Sequence, residues 1–335
     1  MKKWIAITLS CALLLSLTAC AQNTPTEPTE EECMHEYVVS ETAGIFADKQ
    51  KTSVCSKCAQ TITDSVAPAS KSVKILSIGN SFSRNSVDMV YEIAKSAGAE
   101  NVVAACLWIG GSSLDDHATN ILYESPKYEY DLNDNGTWTV QNGWTYLQGL
   151  QAQDWDYILI NQVSVQSGRA EHYGKALKIV AEYIREHMPE DCQLWWNMTW
   201  SYDPDCTYQQ AKFQEYYQCD SDIMYGCITQ VAQNTVMPTG YFDGITFNGT
   251  VVQNMRTSWA KDFVTADGFH MSFDMGCYAV SLGTLAAITD IDISAVTYFS
   301  AKGSFAQQLK QIADEAVLNA KNTPFSVTQS QYTDR

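Results

Sequence analysis

From about residue 73 onward, short apolar runs alternate with amphipathic stretches. Ile75, Leu76 and Ile78 make a run suited to a strand buried on both faces, and it stops abruptly at Gly79-Asn80-Ser81. Ser86 to Ala97 then places Val87, Val90, Ile93 and Ala97 at helical spacing, with Gly98 as a stop. The same alternation predicts strands over Asn101 to Ile109, Trp155 to Ile160, Gln193 to Trp200 and Val236 to Tyr241. It predicts helices over Gly174 to His187, Tyr208 to Gln233, Asn248 to Trp259 and Gly276 to Ile288. Tyr128 to Trp144 reads as a hairpin turning at Asn135-Gly136, whose aromatics cover the sheet edge or flank a ligand. Strands and helices in this order predict an α/β three-layer sandwich with a mainly parallel, doubly wound sheet over residues 73–323. Residues 324–335 carry no clear pattern and read as a tail.

The first 72 residues follow other rules. Lys2 and Lys3 precede an apolar segment, Ile5 to Leu17, too short to remain as a spanning helix, so 1–20 reads as an export signal. Leu17-Thr18-Ala19-Cys20 resembles a bacterial lipobox, which implies a lipid on Cys20, a membrane anchor through it, and residence at the extracytoplasmic face of the membrane. An ordinary secretory signal would leave Cys20 incidental. Residues 21–32, rich in Thr, Pro, Gln and Glu, read as a tether. Residues 33–64 hold Cys33, His35, Cys55 and Cys58. Three thiolates and an imidazole make a closed tetrahedral zinc set, and so short a stretch would draw its stability from a metal. A disulfide is the alternative in an oxidising compartment, at the expense of one unpaired thiol. The pattern resembles small zinc-ribbon-like modules of bacterial surface proteins. Residues 65–72 are the linker.

Charge and cysteine content narrow the partners. A formal net charge of −17 argues against nucleic acid and against electrostatic attraction to an anionic membrane. Cys106, Cys192, Cys206, Cys219, Cys227 and Cys277 could pair in many ways, with Cys206 to Cys227 the favoured zone for a bridge.

The candidate chemistry sits at two distant points. Ser81 lies on a strand-to-helix turn at the carboxyl end of the first strand, the edge where open α/β sheets bind ligands. Its hydroxyl and the backbone N–H groups there face common space, so a nucleophile and an oxyanion site can coincide. Small polar residues capping a helix would look the same. Asp267-Gly268-Phe269-His270 sets a carboxylate three residues before a histidine; it can orient an imidazole that takes the Ser81 proton. His117 has no partner at a telling spacing and reads as substrate-lining or exposed.

The G-N-S-F-S block from Gly79 to Ser83, the G-G-S-S-L block from Gly110 to Leu114 and the late D-G-F-H together resemble the SGNH (GDSL-like) hydrolase superfamily, in a subgroup with G-N-S-F-S in place of G-D-S. The resemblance spans about Val73 to Ile288. It implies a flavodoxin-like sandwich and a serine esterase needing no catalytic cofactor, with Ser81, Asp267 and His270 as triad. Backbone N–H groups of Ser81 and Gly111, with Gly110 as alternate, would hold the oxyanion. The superfamily's G-x-N-D block is replaced by Asn161-Gln162-Val163-Ser164, so the amide donor falls to Asn161 or Gln162. Members with surface addresses imply an acylated, in particular O-acetylated, carbohydrate as substrate. Acyl transfer to a second sugar uses the same residues. The departure from G-x-N-D also leaves room for a binding lipoprotein without turnover.

Overall fold

A computed structural model describes residues 33–335; the export signal, Cys20 and the tether expected over 1–32 lie outside the described residues. Three strands, β1 (Tyr37–Glu41), β2 (Lys49–Cys55) and β3 (Thr61–Ala67), form an antiparallel ribbon of order β1-β2-β3. Seven more make the main sheet: β4 (Ser72–Gly79), β5 (Asn101–Trp108), β6 (Tyr128–Asp134), β7 (Thr137–Trp144), β8 (Tyr157–Ile160), β9 (Gln193–Asn197) and β10 (Gly244–Thr246). Their order is β10-β9-β8-β4-β5-β6-β7, parallel except for the β6–β7 hairpin, which extends the edge beyond β5. β3 runs through Ala67, so the connection to β4 is shorter than the expected linker.

The chain order explains where a site can form. β4 hands on to β5 on one side, while β8, its neighbour on the other side, hands on to β9 in the opposite direction. The connections leaving β4 and β8 therefore diverge and open a crevice at their carboxyl ends. Right-handed crossovers in opposite directions also send the helices to opposite faces. Helices α1 (Ser81–Asn85) and α2 (Val90–Ser96) follow β4, and α3 (Leu114–Leu122) and α4 (Tyr146–Leu150) precede β8. α5 (Gly174–His187) follows β8 and packs against α3 and α4. α6 (Gln210–Tyr217) and α7 (Ser221–Val231) precede a third group, α8 (Asn248–Arg256), α9 (Gly276–Ile288) and α10 (Ala306–Asn322), which packs together and, through α9, on α2. α9 is apolar all round because it is buried all round, with only Ala287 partly accessible.

Several expected elements are revised. Only the latter part of the stretch expected as a helix over Ser86 to Ala97 is helical: Ser86 to Met89 form a turn after α1, and α2 begins at Val90. Gln218 and Cys219 adopt left-handed backbone and divide the helix expected over Tyr208 to Gln233. Val236 to Tyr241 is not a strand: Pro238 and Gly240 shape it into a tight helical turn, and the strand comes three residues later as β10. The tail after residue 323 packs onto the body, where Ser330 N–H donates to Thr257 Oγ1 and the Ser330 hydroxyl to Glu315. All nine described cysteines are free; Cys206 packs on Gly268 and Cys227 on Gly168, so no bridge forms in that zone.

The ribbon is docked at the amino end of β4. Asp290 accepts the backbone N–H groups of Ile45 (3.0 Å), Phe46 (3.0 Å) and Ala47 (2.9 Å), and Ile45 is buried in the core. Ser70 and Lys71 N–H groups donate to the carbonyls of Gly44 and Ile45. We predict that Asp290→Ala weakens this docking by about 1–3 kcal/mol, because three donors lose a charged acceptor. Faster amide exchange at 45–47 with an unchanged core would be the signature; unchanged exchange there would refute it.

Candidate active site

Gly79 ends β4 at φ +156, where a Cβ would meet Ser83 Oγ at 2.2 Å, so only glycine fits beneath the turn. Asn80 caps α1: its side-chain oxygen accepts from Phe82 N–H (3.1 Å), and its own N–H donates to Ser83 Oγ (3.1 Å). Ser81 follows as the first residue of the helix. α1 has five residues, so whatever favours negative charge here is the local N–H groups rather than a long helix dipole. Among the described residues, no acceptor pairs with the backbone N–H of Ser81, Gly110 or Gly111.

The histidine arrives on the loop before α9. His270 Nε2 lies 2.9 Å from Ser81 Oγ, and its Nδ1 lies 2.8 Å from Asp267 Oδ2. Asp267 Oδ1 accepts the N–H groups of His270 (2.8 Å) and Phe269 (3.2 Å), closing the four-residue turn on itself. Partial burial pushes the Asp267 carboxyl up, but the His270 ring and these backbone donors outweigh it and hold the group below its ordinary value. Gly268 sits at φ +89 against the Cys206 backbone, where a side chain would crowd Cα at 3.2 Å. Trp200 Nε1 donates to the Phe269 carbonyl (2.7 Å), Asn85 accepts the Met271 N–H (3.2 Å), and Phe82 stacks on Trp200. The serine turn and the histidine loop are thus pinned to a common buried floor.

Ser81 and His270 open into a cavity of about 350 Å³, walled by Asn80, Trp108, Gly110, Gly111, Val163, Ser164, Tyr208 and Phe269. Tyr208 and Phe269 stack with centroids 4.2 Å apart and rings 3° from parallel. A larger cleft of about 810 Å³ reaches Asp267 and Gly268 but contains neither Ser81 nor His270, so the smaller cavity is the one into which the candidate serine and histidine open. Tyr208, Trp108 and Val163 had no local sequence signal; Tyr208 lies just outside a helix that was expected to include it.

Asn161 and Gln162 do not line this cavity. Asn161 Oδ1 accepts from Ser83 Oγ (2.5 Å), and its Nδ2 donates to Asn80 Oδ1 (3.3 Å) and to the Gln162 carbonyl (3.0 Å). Gln162 Oε1 accepts the N–H groups of Leu114 (3.0 Å) and Val163 (2.8 Å), while its Nε2 donates to the His172 carbonyl (2.7 Å). Both are buried and tie loops together, so the expected amide donor is absent from the wall and the unpaired N–H groups of Ser81, Gly110 and Gly111 remain. His117 is neither exposed nor substrate-lining: it is 2 % accessible and bonded to Ser112 and Tyr128.

At the far end of the ribbon from its docked loop, the donor atoms of Cys33, His35, Cys55 and Cys58 lie within 4.8 Å of one another. Cys33 Sγ is 3.8 Å from Cys55 Sγ, and Cys58 Sγ is 3.4 Å from His35 Nδ1. With Zn–S near 2.3 Å and Zn–N near 2.0 Å, a tetrahedral site has edges of about 3.8 and 3.5 Å, so the set fits. Burial works against charge on Cys55, yet backbone N–H groups of Cys58, Lys57 and Glu36 and the His35 ring pull its thiol down to about 5.

Fold and site together define a doubly wound α/β protein with a serine, a histidine and an aspartate in hydrogen-bond sequence at its switch point. The chain belongs to the family described as "Domain of unknown function (DUF4886)", matched over residues 74–320. It is similar to the crystal structure of a DUF4886 family protein from Bacteroides uniformis ATCC 8492, with TM-score 0.73 and 28% identity over 78% of this chain and all of that one. The C-terminal catalytic domain of Streptococcus pneumoniae peptidoglycan O-acetyltransferase A overlaps 76% of this chain and 94% of its own, at TM-score 0.32 and 11% identity, too distant to argue from. A search of curated proteins gave no match.

We predict that Gly79→Ala, which forces a methyl against Ser83 Oγ, costs about 1–3 kcal/mol by overpacking and abolishes covalent labelling of Ser81 by a fluorophosphonate. Labelling at the wild-type rate would show that the turn tolerates the change.

Proposed function

We propose that this chain is a serine ester hydrolase of the SGNH type. The observation that carries the reading is the unbroken sequence Ser81 Oγ, His270 Nε2, His270 Nδ1, Asp267 Oδ2, with contacts of 2.9 and 2.8 Å, beside unpaired backbone donors. Ser81 Oγ attacks the acyl carbonyl while its proton passes to His270 Nε2. Asp267 holds the ring in the Nδ1–H tautomer and stabilises the imidazolium. The N–H groups of Ser81 and Gly111 face the developing oxyanion. His270 then protonates the departing alcohol, and the acyl-enzyme forms. Water, deprotonated by His270, attacks the acyl carbon, releasing the acid and returning the proton to Ser81.

An O-acylated, in particular O-acetylated, carbohydrate is the proposed substrate. A lipid on Cys20 would anchor the protein at the extracytoplasmic face of the membrane, and the −17 charge argues against nucleic acid as a partner. Among the described residues no helix is long and apolar enough to cross a membrane. Zinc held by Cys33, His35, Cys55 and Cys58 would be structural: all four positions are protein ligands, leaving none open for substrate.

In the full chain, Ser81→Ala should lower hydrolysis of a short aryl acetate by about four orders of magnitude or more. Unchanged turnover would dismiss the triad. If neither protein turns over the artificial ester, fluorophosphonate labelling of Ser81 decides between a hydrolase and a binding protein. Metal analysis should find one zinc per chain. Chelation should raise amide exchange across residues 37–67 and leave turnover within about twofold, since a structural ion contributes to folding and takes no part in the chemistry. Loss of turnover with the ribbon intact would contradict the structural role.

A further inference from the structure

Ser112 joins the two turns whose N–H groups face the candidate oxyanion position. Its hydroxyl lies 2.9 Å from the carbonyl oxygen of Gly79, at the end of β4, and 2.9 Å from that of Ile109, just before Gly110-Gly111. The Asn80 amide donates to the Ser112 carbonyl at 3.1 Å, so the residue grips the nucleophile turn through side chain and backbone alike. The third neighbour of the hydroxyl is His117 Nε2 at 3.1 Å, and His117 Nδ1 lies 2.8 Å from the Tyr128 hydroxyl. Ser112, His117 and Tyr128 are all buried.

Proton counting fixes the direction of these bonds. Ser112 has one hydroxyl proton and two carbonyl oxygens within reach, and carbonyls only accept. If Ser112 gave that proton to His117, its oxygen would sit 2.9 Å from two other oxygens with no hydrogen between them. The proton therefore lies toward the carbonyls, and His117 Nε2 must donate to Ser112. His117 Nδ1 is then bare and accepts from Tyr128. Burial favours this neutral ring, pulling the imidazole down to about 4.

We propose that His117, held as the Nε2–H tautomer by Tyr128, is a positioning residue that directs the Ser112 hydroxyl onto the Gly79 and Ile109 carbonyls. That clip sets the distance between the Ser81 and Gly111 N–H groups, so that both can reach one oxyanion. The inference rests on the ester-hydrolase reading for its catalytic consequence; the proton arrangement stands independently of it.

The test uses the full chain with an aryl acetate. Ser112→Ala and His117→Leu should lower kcat about tenfold to a hundredfold, as expected when an oxyanion donor is displaced but not removed, with KM within about threefold. His117→Gln should restore most of kcat, because its amide N–H donates to Ser112 while its carbonyl accepts from Tyr128. Wild-type kcat in Ser112→Ala, or equal loss in His117→Leu and His117→Gln, would overturn the proposal. If His117→Leu fails to fold, Ser112→Ala carries the kinetic test. Nitrogen NMR of ¹⁵N-histidine-labelled protein reads the tautomer directly. A protonated Nε2 and bare Nδ1 are expected for the His117 resonances, and the reverse overturns the clip even if turnover proves independent of Ser81.

Discussion

A band of buried polar side chains along the carboxyl edge of the sheet is the constraint on which the rest depends. Asn80, Ser83, Asn161, Asn197, Thr246 and Asn248 come from the ends of four neighbouring strands and the first turns of the helices that follow β4 and β10, and each is nearly or wholly inaccessible. Ser83 donates to Asn161, Asn197 donates to Ser86 at 2.9 Å, and Asn197 Oδ1 accepts from Thr246 at 2.8 Å and Asn248 at 3.1 Å. Buried amides are costly unless paired, so removing one member strands its partners. The Asn248 side-chain oxygen, Oδ1, is the exception, buried with no partner among the described residues. This band fixes the ends of β4, β8, β9 and β10 relative to one another, and the site is built on top of it.

The candidate triad is held more loosely than its floor. The side chains of Asp267 and His270 are 46 % and 35 % exposed, open to solvent. Their geometry comes instead from short-range closure, a carboxylate accepting its own turn's N–H groups, and from the Phe269 and Asn85 anchors. Rigid support beneath an open site lets the loop carry chemistry without sacrificing register. The ribbon stands apart from this arrangement, docked at the opposite end of β4 with its Cys/His cluster farther still.

Much of this was legible along the chain. The apolar run ending in Gly79-Asn80-Ser81 announced both a buried strand and a strand-to-helix turn, because those depend on neighbours in sequence. The Asp267 to His270 spacing likewise encodes a local turn. Leu114, His117, Ala118 and Ile121 recur at helical spacing, so the burial of His117 was also written there, behind its polarity. β10 escaped notice because three residues beginning with glycine carry too little pattern, while the apolar stretch around Pro238 carried a misleading one.

What only the tertiary structure decided is the meaning of contacts between distant segments. Sequence determined six of the main sheet's seven strands, the serine turn, the histidine turn and the four-ligand set, since each is carried by residues close along the chain, by periodicity or by motif spacing. The meeting of His270 with Ser81 across 189 positions was expected from the two motifs and the resemblance they carry, but nothing along the chain said that Tyr208 walls the cavity, or that Asn161 and Gln162 turn their amides away from it. Side-chain direction at a strand end is settled by which buried partner lacks a bond, and those partners arrive from elsewhere in the chain.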